Sequence, residues 1–127
     1  MPRQPRQPRK RTRRQPVDLP QTSEVWGVGV VQLRLWITPD DAPPHRPYLV
    51  MVLDLEQGAV VGSEMFEALP APGEVHQALL KAMSKPMPGA GRARRPERVL
   101  VTEAALADDL KPELAEIGVA CESHDLL

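Results

Sequence analysis

Aromatic residues, cysteine and long apolar runs are all scarce in this chain. Aromatic residues are 3% of its 127 residues, so a core has to be filled by Val, Leu, Ala and Met. The single cysteine, Cys121, excludes an internal disulfide. No apolar stretch reaches the ~18 residues that a membrane span needs, and none near the start is typical of a signal peptide. We therefore expect a cytoplasmic protein that makes no membrane contact.

Acidic residues are absent from residues 1–16, where proline and glutamine separate basic side chains. The chain has 16 basic and 17 acidic residues, and seven of the basic ones lie in this segment. A segment of charge +7 therefore precedes a body of charge −8. The segment has no periodic apolar residue whose burial could offset the entropy of ordering it. We predict a disordered basic arm over residues 1–23 and a single domain over residues 24–127.

The arm suggests a partner of opposite charge. Its basic residues are Arg3, Arg6, Arg9, Lys10, Arg11, Arg13 and Arg14. Seven positive charges so close together exceed what solubility requires. We expect the arm to bind nucleic acid, DNA or RNA, through phosphates and without base specificity. The alternative is a solvated tail that only keeps the protein in solution.

The most apolar stretch is residues 46–67, which read RPYLVMVLDLEQGAVVGSEMFE. Residues 48–55 are short, apolar and carry β-branched side chains, which predicts a strand buried on both faces. Gly58 can take the positive φ that a tight turn needs, and a second apolar run follows at residues 59–66. The stretch therefore predicts a β-hairpin, in which Asp54 accepts hydrogen bonds from turn amides.

Other periodic segments extend the hairpin into one α/β domain. Residues 31–37 alternate apolar and polar side chains, whereas residues 74–85 repeat apolar side chains with helical spacing. The predicted elements are strands at 25–37, 48–55 and 59–66, a helix at 74–85, a strand at 98–102, a helix at 104–117 and a strand at 119–121. Pro112 either kinks the last helix or begins a new one, and Gly118 ends it. This order predicts an antiparallel meander followed by α-β-α-β with parallel strands.

A basic loop separates the two predicted helices. Residues 86–97, PMPGAGRARRPE, contain too many prolines and glycines for regular structure. The loop carries Arg92, Arg94 and Arg95. We expect these side chains to extend the nucleic-acid footprint of the arm.

This element order and its hairpin resemble the ribonuclease-H-like fold, and most closely the catalytic core of retroviral-type integrases and bacterial transposases. The hairpin of that family reads "Y-L-hydrophobic-D-x-x-S-R-x-I-V-G", and residues 48–49, Asp54 and residues 60–62 match it. Later family segments, "S-D-x-G" after a strand and "L-x-x-x-G-I", are similar to residues 100–103 and 114–119. The resemblance covers about residues 24–124 and implies a ribonuclease-H-like sheet.

Catalysis in that family needs three carboxylates that converge on two divalent metals. The resemblance places the first at Gly29, which has no ligating side chain, and the second at Glu103. The third belongs to a helix after the last strand, and the chain ends at Leu127 before such a helix. Asp54 matches a position that is not a ligand. We therefore expect no catalytic residue, no metal and no other cofactor.

Two alternatives to a catalytically inactive nucleic-acid-binding module stay open. One is a nuclease or strand-transfer enzyme that uses Mg²⁺ or Mn²⁺, with Glu103 and Asp54 as candidate catalytic residues. The other is a protein-interaction domain that forms a homodimer through an exposed sheet edge. A zinc site is not indicated, because the three histidines have no ligand spacing to one another or to Cys121.

Overall fold

Five strands and two helices make up the part of the chain that the structure, a computed structural model, describes, namely residues 18–124. The elements are β1 (Val25–Gln32), β2 (Tyr48–Asp54), β3 (Val60–Phe66), α1 (Pro72–Ser84), β4 (Arg98–Val101), α2 (Ala104–Ala115) and β5 (Ala120–Ser123). The strands form one sheet in the order β3-β2-β1-β4-β5. Their order along the chain confirms the predicted succession of elements.

β1 lies at the centre of the sheet and joins its two halves. It pairs antiparallel with β2, which pairs antiparallel with β3. On its other side β1 pairs parallel with β4, and β4 pairs parallel with β5. The sheet is therefore mixed, with an antiparallel meander and two added parallel strands, as the sequence predicts.

Both helices pack on one face of the sheet and against each other. The buried stripe of α1 is Val75, Ala78, Leu79, Ala82 and Met83, which confirms the predicted stripe. α2 buries Ala107, Leu110 and Leu114 against β4 and β5. The sheet contributes buried valines from its three central strands, such as Val28, Val52 and Val99. Because aromatic residues are few, the core consists of valine, leucine, alanine and methionine around the buried Trp26.

Two glycines and one aspartate shape the central hairpin. Gly58 takes φ 70° in the turn, and the backbone N–H of Glu56 donates to Oδ1 of Asp54 at 3.0 Å. These observations confirm the predicted turn and the predicted role of Asp54. Gly62 faces α1 so closely that an added Cβ would lie 2.8 Å from the Cβ of Ala82.

The first strand is shorter than predicted, because it ends at Gln32 rather than at residue 37. Gln32 pairs with Tyr48, and the next partner along the chain is Pro47. Prolines at positions 43, 44 and 47 have no N–H to donate, so the antiparallel ladder cannot continue regularly past them. Residues 33–47 instead form a loop that is held by a bridge between Ile37 and His45.

The second strand is buried on one face only, so the prediction of burial on both faces is wrong. Val50, Val52 and Asp54 are buried on the face that α1 contacts, whereas Leu49, Met51 and Leu53 are half-buried on the opposite face. A continuous apolar run is typical of a strand that is covered on both faces. Among the described residues, both helices cover the same face.

The predicted boundary of the arm at residue 23 differs from the packing in the structure. Leu19 is 2% exposed and belongs to the core, and the backbone N–H of Thr22 donates to the carbonyl of Arg95 at 2.9 Å. The packed chain therefore includes residues that the sequence analysis assigned to the arm. The seven basic arm residues, Arg3 to Arg14, lie outside the described residues.

α2 runs through Pro112 as one helix and ends at Ala115, two residues before the predicted end. Pro112 lies inside the helix, which neither restarts nor breaks there. Gly118 follows with φ 77°, the left-handed conformation that favours glycine at a helix end. Between residues 18 and 124, no helix is long and apolar enough to cross a bilayer.

Candidate functional site

A cleft lies where the carboxyl ends of β1 and β4 meet the start of α2, the usual place for a ligand site in an α/β sheet. Its volume is about 190 Å³, and it is lined by Val30, Leu69, Pro70, Pro72, Val75, Glu103, Ala105, Leu106 and Asp109. Two carboxylates therefore border a wall that is otherwise apolar. We call this depression the carboxyl-end cleft.

The carboxyl-end cleft is where the resemblance to integrases places metal chemistry. Glu103 lies there, at the N-cap position of α2, but its side chain makes no capping hydrogen bond. Gly29, the predicted position of the first carboxylate, lies on the opposite face of β1, and Val30 lines the cleft instead. Asp54 lies at the other end of the sheet, beside the first residues of β1. The three positions considered from sequence are thus not brought together.

The donor set of this cleft does not fit a two-metal site. Glu103 and Asp109 supply two carboxylates, and the neighbouring side chains carry no oxygen or nitrogen ligand. Within residues 18–124 no three His, Cys, Asp or Glu side chains are grouped so that they could hold a metal ion. Mg²⁺ takes six oxygen ligands, of which one or two are protein carboxylates and the rest are waters or substrate oxygens, so two carboxylates fall short of what two ions require.

Arg94, predicted to contact nucleic acid, is held inside the protein. Its Nε lies 2.6 Å from Oε1 of Glu24 and its Nη2 lies 3.2 Å from Oε2, a two-pronged ion pair. The guanidinium also lies over the ring of Trp26, 5.4 Å from the ring centroid. Its side chain is 11% exposed. Arg94 therefore neutralises a half-buried carboxylate and is not available to a phosphate.

The electrostatics of Glu24 follow from that pair. The hydrogen bond from Arg94 lowers the pKa of Glu24, burial opposes that shift, and a hydrogen bond from the Thr22 hydroxyl at 2.7 Å assists it. Asp54 is close enough to affect the same carboxylate. Glu24 is thus ionised at neutral pH and holds Arg94 in place.

Arg95 joins three segments of the chain. Its Nε donates to the carbonyl of Leu19 at 2.8 Å, and its Nη1 donates to the carbonyl of Ile117. Its backbone N–H donates to the carbonyl of Pro20 at 2.8 Å. The side chain therefore satisfies one carbonyl just after α2 and, with the backbone N–H, fixes residues 19–22 to the domain. It too has a structural role rather than a free charge.

In the basic loop over residues 86–97, Arg92 is the arginine whose side chain faces water. It lines a depression of about 410 Å³ together with Glu24, Asp54, Gln57, Ala59, Gly89, Ala90, Gly91 and Arg94. Among the described residues no hydrogen bond or ion pair of its guanidinium is found, although its carbonyl accepts a hydrogen bond from Arg94. Of the three loop arginines, Arg92 is the one placed to meet an external anion.

A groove beside the edge strand β3 was not anticipated from the sequence. It has a volume of about 570 Å³ and lies between β3 and α1, lined by Glu64, Phe66, Ala71, Gly73, Glu74, Gln77, Ala78 and Lys81. Glu64 pairs with Lys81 at 3.5 Å, and Glu74 accepts a hydrogen bond from the N–H of Ala71. Its charged groups therefore have local partners, and its floor is apolar. No sequence motif marks it, since its residues come from two elements that touch only after folding.

Cys121 has the environment of a small buried apolar residue. It is 5% exposed, and its thiol donates to the carbonyl of Ala107 at 3.8 Å. Burial raises the pKa of this thiol. Cys121 is therefore neutral and unreactive while α2 covers it.

Comparison with known proteins identifies a family. No curated protein matches the chain. The family model described as a domain of unknown function, DUF6930, matches residues 12–127. The match includes every strand and helix described above, together with the last residues of the predicted basic arm. The chain therefore belongs to the DUF6930 family.

Proposed function

We propose that this protein is a non-catalytic binding module with a ribonuclease-H-like sheet, and that its basic arm binds nucleic acid without base specificity. The proposal is supported by the element order, in which an antiparallel meander is followed by two α-β units whose strands add in parallel beside β1. That arrangement is the one on which the resemblance to integrases and transposases depends.

One observation carries the non-catalytic part of the proposal, namely the composition of the carboxyl-end cleft. In the two-metal reaction that the resemblance implies, one metal ion on each side of the phosphate stabilises the attacking and the leaving oxygen. Here Glu103 and Asp109 face Val30, Val75 and Leu106, which offer no ligand. This wall therefore supplies no further ligand to complete a two-metal site.

A cleavage assay tests this part. The full chain is incubated with single- and double-stranded DNA and RNA in millimolar Mg²⁺ or Mn²⁺, beside a Glu103→Gln variant. We expect no cleavage above the background of the variant. Cleavage that the wild-type chain performs and Glu103→Gln does not would establish the enzyme alternative and contradict the proposal.

The charge distribution carries the binding part. Residues 1–16 hold seven basic residues and no acid, whereas the rest of the chain is acidic. In the domain, Arg94 and Arg95 are committed to internal partners, so the arm and Arg92 supply the contacts to phosphate. If about five phosphates are contacted, log affinity for duplex DNA should fall against log salt with a slope of roughly −4 to −5.

Fluorescence anisotropy with a random duplex and a random RNA tests this part across a range of salt. Deleting residues 1–16 should remove nearly all binding, whereas Arg92→Gln should reduce the affinity only slightly. Arg94→Gln is the matched control, because it removes a charge that is not available to phosphate. A truncated chain that binds as well as the full chain, or a full chain without affinity at low salt, would leave the arm as a solubilising tail.

A further inference from the structure

The sheet surface opposite the helices is apolar and exposed. We call it the uncovered face, and its main side chains are Val31, Leu49, Met51, Leu53, Met65 and Leu100. They lie in register across four neighbouring strands. Val31 is 49% and Met65 is 57% exposed, and the others are half-buried. No helix of residues 18–124 packs on this side.

Charge is nearly absent from the uncovered face, although 26% of the chain is charged. Among its strand residues the charged ones are Arg98 and Glu122, which pair with each other at 3.7 Å at one border. The face therefore has no net charge to attract an acidic or a basic partner. Two copies of this face can therefore meet without charge repulsion, whereas two copies of the acidic remainder of the domain would repel each other.

The size of the face approaches what a stable interface needs. With strands about 4.8 Å apart and about 3.3 Å per residue, its flat area is on the order of 500 Å². Monomeric proteins rarely expose a contiguous apolar patch of more than a few hundred Å². A specific dimer buries about 800 Å² from each partner. Side-chain relief adds to the flat area.

The relief of the uncovered face is complementary to itself. On β2, Leu49, Met51 and Leu53 form a ridge. On the adjacent β1, Gly27 and Gly29 have no side chains and form a trough. Gly27 pairs with Leu53 and Gly29 pairs with Met51, so the trough lies directly beside the ridge. A Cβ added at Gly29 would meet nothing within 4 Å. Ridge and trough thus run side by side, one strand apart.

We propose that two copies of this chain pack their uncovered faces together around a two-fold axis that runs parallel to the strands, midway between β1 and β2. That operation exchanges the two strands, so the ridge of each copy enters the trough of the other. The contact is isologous, which closes the assembly at a dimer. Two sheets packed in this way form a sandwich with the aligned geometry that twisted sheets favour. The dimer uses the face of the sheet, not the edge that the sequence analysis considered.

Gly29→Val is the informative variant for this interface. The backbone of Gly29 is not left-handed and its Cβ direction is free, so one chain accommodates valine, which also favours strands. In the dimer the same side chain fills the trough and displaces Met51 of the other copy. Gly73→Val is the matched control, because Gly73 is equally free at its Cβ but lies on α1.

Sedimentation velocity over the micromolar range, in high salt to screen the arm, measures the association. We expect the wild-type chain and Gly73→Val to form dimers, and Gly29→Val to associate at least about tenfold more weakly, with an unchanged far-ultraviolet circular dichroism spectrum that shows it to be folded. A wild-type chain that stays monomeric, or a Gly29→Val variant that dimerises equally well, would overturn the proposal. Should Gly29→Val fail to fold, Met51→Lys decides in the same way, because a charge on the ridge is solvated only in the monomer.

A truncated chain that lacks residues 1–16 distinguishes dimer formation from nucleic-acid binding. The truncated chain should dimerise as the full chain does, because the arm contributes nothing to the uncovered face. Loss of the dimer on truncation would mean that the arm makes the contact and would overturn the proposal. Loss of nucleic-acid binding alone leaves the dimer intact.

Discussion

At the scale of single residues, contact between α1 and β3 depends on the missing side chain of Gly62. The Cβ of Ala82 occupies the space that a side chain at position 62 would need. Gly62 pairs with Val52 on the buried face, so the helix rests directly on the backbone of the edge strand. A glycine in a strand is usually unfavourable, and here the close approach of the helix compensates for it.

We expect Gly62→Ala to destabilise the domain by about 1–3 kcal/mol, because a new methyl group overpacks the contact. Urea unfolding monitored by circular dichroism measures the change. Ala82→Gly introduced together with Gly62→Ala should recover part of the loss, since it removes the opposing methyl group. Gly73→Ala is the control, because its Cβ is unobstructed. Equal stability of Gly62→Ala and the wild-type chain would mean that α1 can move away from β3 without cost.

The ion pair between Glu24 and Arg94 predicts a dependence of stability on pH. The hydrogen bond from Arg94 lowers the pKa of Glu24 below its usual value of 4.5 in the folded protein. A lowered carboxyl pKa contributes stability above the unfolded value, and that contribution disappears as the pH falls through the folded value. Replacing Arg94 removes the main cause of the shift.

Arg94→Gln should therefore be less stable than the wild-type chain at pH 7, and the difference should shrink as the pH falls below about 4.5. Thermal unfolding at a series of pH values measures it. Arg92→Gln serves as the control, because Arg92 faces water and should show no such dependence. A gap between Arg94→Gln and the wild-type chain that stays constant down to pH 3 would contradict the assigned role of the pair.

At the scale of elements, the sequence predicted those features that depend on local spacing. The stripe of α1 from Val75 to Met83 and the turn at Gly58 follow from helical periodicity and from backbone conformation, both of which are local. The end of β1 was missed because it depends on prolines in the partner segment, 11 to 15 residues away. Which face of β2 is covered depends on where the helices pack, and no spacing in β2 encodes that.

The candidate sites were harder to predict than the fold, because they depend on contacts between residues that are distant in sequence. Arg94 and Arg95 looked free because their partners, Glu24 and the carbonyls of Leu19 and Ile117, are distant in sequence. A count of charge cannot distinguish an arginine that binds a ligand from one that joins segments of the chain. The trough at Gly27 and Gly29 shows in the sequence only as two glycines in a strand, a pattern that marks either a bulge or a close approach and does not name a partner.

α2 offers a prediction that concerns a whole helix. Pro112 lies at its ninth position, where proline removes one backbone hydrogen bond and crowds the carbonyl four residues earlier. Pro112→Ala should raise the free energy of unfolding by about 1–2 kcal/mol. Urea unfolding tests this, with Glu113→Ala as a control on the same exposed turn. A destabilised Pro112→Ala variant would show that the proline sets a bend on which packing against β4 and β5 depends.

At the scale of the whole molecule, β1 holds together two units that are distant in sequence. The meander of β1, β2 and β3 comes first along the chain, and β4, α2 and β5 follow after α1. The units meet where Val25–Val28 pair with Arg98–Val101 and where α1 touches α2. Because closing so long a loop costs entropy, we expect these contacts to form late in folding and the two units to differ in how readily they open.

Burial of Cys121 makes the opening of the later unit, β4, α2 and β5, measurable without an engineered cysteine. The chain has one thiol, and it is shielded by α2 at the outer edge of the later unit. Its reaction with a disulfide reagent then requires that α2 and β5 open, so the reaction rate reports how often they do. We expect slow labelling at neutral pH, rapid labelling in urea, and faster labelling when Val101→Ala weakens the later unit than when Val61→Ala weakens the meander. Equal acceleration by both variants would mean that the sheet opens as one piece. The labelling rate of Cys121 would then report global unfolding instead.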